Sequence, residues 1–112
     1  MNVTFYGKED NQVSGNHAVL MGQCQGSLNF TELSNSVEVR DNSWSVSITT
    51  QPCVLEWKWK LDDQWDLDQQ DNRITEIPDT ANHVAVYSKF NIRGGEYTDI
   101  LVMHEERGRR AG

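Results

Sequence analysis

The chain has 112 residues, room for one domain and too few for two of ordinary size. Apolar residues make up 37% and charged residues 24%, which builds one modest core and excludes a disordered chain. The net charge of −7 argues against nucleic acid as a partner, because phosphate recognition needs a basic face.

No apolar run approaches the ~20 residues that span a bilayer, so no membrane partner is expected. The N-terminus reads MNVTFYGKEDN and shows no signal-peptide pattern. Cys24 and Cys53 lack C-x-x-C spacing and have no neighbouring His, so no metal site is expected. Nothing in the sequence brings their Cα atoms within reach, and free buried thiols are expected in preference to a bridge. Sequons at Asn2 and Asn29 permit glycosylation in a secreted chain. The compartment stays open, with a lean to the cell interior from the missing signal and disulfide.

In chain order the pattern is alternation, with almost no helical period. Asn2 to Tyr6 reads as a short strand with Val3 and Phe5 on one face. HAVLMG at 17–22 is a second strand-length run, and Gly22, Gly26, Ser27 and Asn29 mark a loop. From Asn42 to Thr50, Trp44, Val46 and Ile48 share one face against Ser43, Ser45, Ser47 and Thr49. Val54 to Leu61 is the most regular stretch. Leu55, Trp57, Trp59 and Leu61 point inward, while Glu56, Lys58 and Lys60 point to solvent.

Asp62-Asp63 reads as a turn with a return strand over Gln64 to Leu67, and Arg73 to Ile77 as another strand. His83 to Ile92 alternates, with Val84, Val86, Phe90 and Ile92 inward. Gly94-Gly95 signals a hairpin into Tyr97 to His104. The expected fold is all-β, an antiparallel immunoglobulin-like β-sandwich of about 7–9 short strands. EERGRRAG at the end reads as a frayed tail or a linker to something else.

Residues 62–72, DDQWDLDQQDN, hold five aspartates around Trp65. They fail the EF-hand pattern, because with Asp66 at position 1 Asp71 falls where the turn glycine belongs. A solvated loop is the expected role. A catalytic carboxylate pair, using Asp66 or Asp68, would need a cleft that a domain of this size has little depth to build. Trp65 stands apart, with two readings of equal weight: a rim residue folded back over its own sheet, or an exposed indole among polar groups that suits the apolar C–H face of a pyranose ring. Covering roughly 100 Å² of that surface is worth about 2–3 kcal/mol.

Taken together, LMG at 20–22, LNF at 28–30, WSVSI at 44–48, LEWKWKL at 55–61 and WDLDQQDNR at 65–73 resemble the starch-binding domain, carbohydrate-binding module family 20. The last two motifs, a short turn apart, are the specific part, and the likeness covers about residues 2–87. The resemblance implies a non-catalytic module that binds α-1,4-glucan and tethers it for an attached or associated enzyme, with no cofactor.

It places the glucan site on Lys58, Trp65 and Asn72, with Phe30 where the family has its first tryptophan. The segment from Trp65 to Asn72 is about two residues longer than the family's, which would displace Asn72. A second family site needs a tyrosine where this chain has Ser14, so that site is expected to be weak or absent. Residues 1–87 would be the module, and 88–112 a C-terminal hairpin extension and tail of the same domain. The rival reading is a sandwich that has lost sugar affinity and serves as a protein–protein interaction module.

Overall fold

The computed structural model describes residues 1–9, 16–67, 71–79, 83–93 and 97–101. Ten strands form two sheets: β1 (Asn2–Lys8), β2 (His17–Cys24), β3 (Thr31–Glu32), β4 (Val37–Glu38), β5 (Ser43–Thr49), β6 (Cys53–Leu61), β7 (Gln64–Trp65), β8 (Arg73–Ile77), β9 (His83–Lys89) and β10 (Tyr97–Leu101). The four-stranded sheet runs β10-β9-β1-β5. In the six-stranded sheet β2 and β6 are central, with β3 and β4 beside β2 and β7 and β8 beside β6. No helix occurs among the described residues.

The all-β sandwich follows from the alternation. Val3 and Phe5 of β1, Trp44 and Val46 of β5, and Val84 and Val86 of β9 face Leu20 of β2 and Leu55, Trp57, Trp59 and Leu61 of β6. Aromatic edges lock the layers. Phe5 meets Trp57 at 4.8 Å between centroids and 67°, and Trp44 meets Trp59 at 5.6 Å and 89°. The buried indole N–H groups of Trp57 and Trp59 donate to Thr75 Oγ1 (3.0 Å) and Ser88 Oγ (2.8 Å).

Several expectations change. The sandwich is not wholly antiparallel, because β1 pairs with β9 in parallel, Asn2 opposite His83 and Lys8 opposite Lys89. Alternation looks the same in either direction, so the pattern could not reveal this. Gly22 lies inside β2 rather than in a loop. A Cβ there would strike the Glu56 carbonyl oxygen and approach Leu33 Cδ1 at 2.9 Å. Ile92 is 39% exposed, past the end of β9, rather than inward.

Cys24 and Cys53 are joined by a disulfide with a Cα–Cα distance of 5.8 Å, contrary to the expectation of free thiols. The antiparallel register of β2 and β6 sets Cys24 opposite Leu55, which brings the start of β6 alongside the end of β2. The bridge also removes one ground for a lean to the cell interior.

Ser14, Asp68, Gly94-Gly95 and the tail from residue 102 onward lie outside the described residues. Beyond β1, Glu9 is 4% exposed, and burial pushes its carboxyl above the ordinary 4.5.

Candidate functional site

The outer face of the six-stranded sheet carries the site. On β6 the inward residues alternate with Glu56, Lys58 and Lys60, and β2 runs antiparallel beside them with Gln23 opposite Glu56 and Met21 opposite Lys58. Phe30 stands just before β3, and Trp65 ends β7 opposite Lys60. Gln23, Phe30, Lys58, Trp65 and Asn72 line one depression of about 350 Å³. All four residues singled out from the sequence are therefore brought together, and the longer 65–72 segment does not remove Asn72 from the group.

Their environments differ from expectation in one case. Lys58 was expected to stand in solvent, yet it is 3% exposed. Its Nζ lies 5.6 Å from the Trp65 ring centroid. Lys60 Nζ sits 5.1 Å from the same centroid. Trp65 is 42% exposed.

Two of these side chains are positioned by a buried ion pair next to them in sequence. Asp66, adjacent to Trp65, is fully buried and accepts from Arg73 Nε (2.8 Å) and Nη2 (2.9 Å). Its carboxylate also accepts from the backbone N–H of Asn91 (2.6 Å) and of Trp59 (3.3 Å). Arg73, adjacent to Asn72, donates onward to the carbonyls of Lys89 (2.7 Å) and Ile92 (3.2 Å). Asp66 is thus a structural carboxylate, which corrects its assignment to a solvated loop and commits it away from acid–base chemistry.

Further bonds come from Asn91 Oδ1, which accepts from Leu67 N (2.9 Å), and from Arg93 Nη1, which donates to the Asn72 carbonyl (2.9 Å). Residues 89–93, for which the sequence suggested no part in the site, hold Asp66 and Leu67 just after its tryptophan and the carbonyl of its asparagine.

Gln23 was missed. Its Nε2 donates to Glu56 Oε1 (3.1 Å), while its Oε1 is buried without a partner among the described residues. The β2 alternation, with Ala18 and Leu20 inward, was enough to put Gln23 on the outer face. Only the β2–β6 register puts it beside Lys58. No group of three or more metal-ligating side chains occurs among the described residues.

No family model matches the chain, and no curated protein matches it. Among solved structures it is similar to the module CBM25-2 of the β/α-amylase from Paenibacillus polymyxa, with a TM-score of 0.39 and 15% identity over 99% of this chain and 95% of that one. A likeness at that level carries no inference about ligands.

Proposed function

We propose that this domain is a non-catalytic carbohydrate-binding module whose ligand is an α-1,4-glucan such as starch, glycogen or a maltooligosaccharide. The observation that carries the reading is the convergence of Phe30, Lys58, Trp65 and Asn72 on one open depression. These are the positions to which the family 20 resemblance assigns glucan contact. Trp65 stacks on the apolar face of a glucose ring, and Phe30 offers a second, smaller aromatic surface. Lys58 donates to sugar hydroxyls, and Asn72 both donates and accepts.

A shallow, wet site of this kind gives a Kd between ~10 μM and ~1 mM. Its use is tethering, which raises the local concentration of polymer for an attached or associated enzyme. The commitment of Asp66 to Arg73 further weakens an enzymatic reading of the acidic segment.

Tryptophan fluorescence titrated with β-cyclodextrin, with cellohexaose as control, tests the proposal. A saturable change with cyclodextrin alone, abolished in Trp65→Ala, is expected. No change up to ~10 mM would sink the glucan reading.

A further inference from the structure

The four-stranded sheet ends at β5, and on the side away from β1 that strand borders a groove of about 610 Å³. The opposite wall is the segment 32–37, including Glu32, Leu33, Ser34, Asn35 and Val37. Strand alternation decides which backbone groups face it. Ser43 exchanges both of its backbone hydrogen bonds with Arg40, at 2.9 Å each, on the side away from β1, while Thr50 N donates to Met1 O (2.9 Å) toward β1. By parity Trp44, Val46 and Ile48 bond to β1, and Ser45, Ser47 and Thr49 direct N–H and C=O into the groove. Among the described residues no protein group pairs with those six backbone groups.

Edge strands of this kind are ordinarily blunted by a charge, a proline or a bulge. β5, SWSVSIT, has no charged residue and no proline, and its seven-residue register with β1 is unbroken. Its sequence is also self-complementary under reversal. In an antiparallel pairing of two β5 strands with Ser47 on the twofold axis, Ser47 faces Ser47 and Ser45 faces Thr49. Val46 faces Ile48 on the inner side.

All three residues with outward backbone groups on each strand then find partners of the same kind, and the pairing needs nothing from Ser43. The half-buried Leu33, Val37 and Ile48 at the mouth of the groove lose further contact with water. We propose that the free edge of β5 pairs with the same edge of a second copy of this chain, making a continuous eight-stranded sheet across a twofold-symmetric dimer. The contact is one strand wide, below the area of a tight obligate interface, so the dimer forms reversibly. This inference is independent of the glucan reading, since the groove shares no residue with the depression around Trp65.

Sedimentation of the whole chain, from ~5 μM to ~1 mM, tests it. The expected result is a dimer fraction that grows with concentration. Ser47→Lys places like charges directly opposite each other on the axis and abolishes the growth, whereas Ser47→Val, which keeps the backbone bonds, retains it.

Amide hydrogen exchange on the unmodified chain gives a readout independent of any variant's folding. Protection of Ser45, Ser47 and Thr49 rises at least tenfold between the lowest and highest concentrations. A monomer throughout, a Ser47→Lys variant that dimerises as before, or concentration-dependent protection at Tyr97–Leu101 instead would each overturn the proposal.

Discussion

Removing the Asp66 carboxylate is the most severe single change expected outside the aromatic core. In Asp66→Ala the fully buried Arg73 guanidinium loses both of its bonds to the carboxylate, at 2.8 and 2.9 Å, and the backbone N–H groups of Asn91 and Trp59 lose their acceptor. Breaking a buried ion pair from one side destabilises by about 3–5 kcal/mol. Each orphaned backbone donor adds about 1–3 kcal/mol where water cannot reach it. With relaxation, a total of about 5 kcal/mol is expected, against an overall stability on the order of 6–17 kcal/mol for a domain of this length.

Urea unfolding followed by tryptophan fluorescence would show a midpoint lowered by about 2–4 M. The double variant Asp66→Leu/Arg73→Met recovers a large part of that loss, because it leaves no uncompensated charge. A loss below about 1 kcal/mol in Asp66→Ala, or a double variant worse than the sum of the singles, would refute the reasoning.

The disulfide closes a loop with a sequence separation of 29, and its removal in Cys24→Ala/Cys53→Ala lowers stability by about 3–4 kcal/mol in urea unfolding. Gly22→Ala forces a Cβ into the Glu56 carbonyl oxygen and destabilises by about 1–3 kcal/mol in the same assay. The raised carboxyl of Glu9 means that the folded state favours the protonated acid, so its contribution is full below the ordinary 4.5 and is lost as pH rises through the elevated value. Glu9→Gln therefore raises the thermal midpoint near pH 7, and the gain fades on acidification. Lys60 holds Trp65 from outside the depression, so Lys60→Met weakens cyclodextrin binding about 2–5-fold without abolishing it.

Strand positions were legible because inward and outward residues alternate so cleanly. β6 carries the pattern, with Leu55, Trp57, Trp59 and Leu61 all buried at alternate positions, whereas β8 alternates in burial but not in polarity, with Arg73, Thr75 and Ile77 buried and Ile74 and Glu76 exposed. The same strand carried a signal that composition obscured, since an arginine at an inward position requires a buried acid. Nothing local says which of five nearby aspartates supplies it, because residues 89–92, distant in sequence, hold both Asp66 and Arg73 in place. Lys58 was misjudged for a related reason. Its parity is outward, but Gln23 of β2, Phe30 and Trp65 of β7 line the same depression with it, and it is buried there. The cysteines needed a register that periodicity does not contain. The candidate residues Phe30, Lys58, Trp65 and Asn72 came from motif resemblance rather than from physics, and Gln23, which no motif marks, joins their depression only through the register.

The central position of β1 in its sheet has a consequence for how the chain comes to be folded. Its neighbours β5 and β9 are both distant in sequence, and the parallel partner is the later of the two. During synthesis the first strand emerges long before the strand that completes its pairing, and loop closure across nearly the whole domain must come first. Until residues 83–90 are available, the inward sides of Val3 and Phe5 lack Val84 and Val86 beside them, and Trp59 lacks the Ser88 hydroxyl that accepts its indole N–H. A chain ended within β9 would keep every residue of the depression around Trp65 and still lack the means to close its own core.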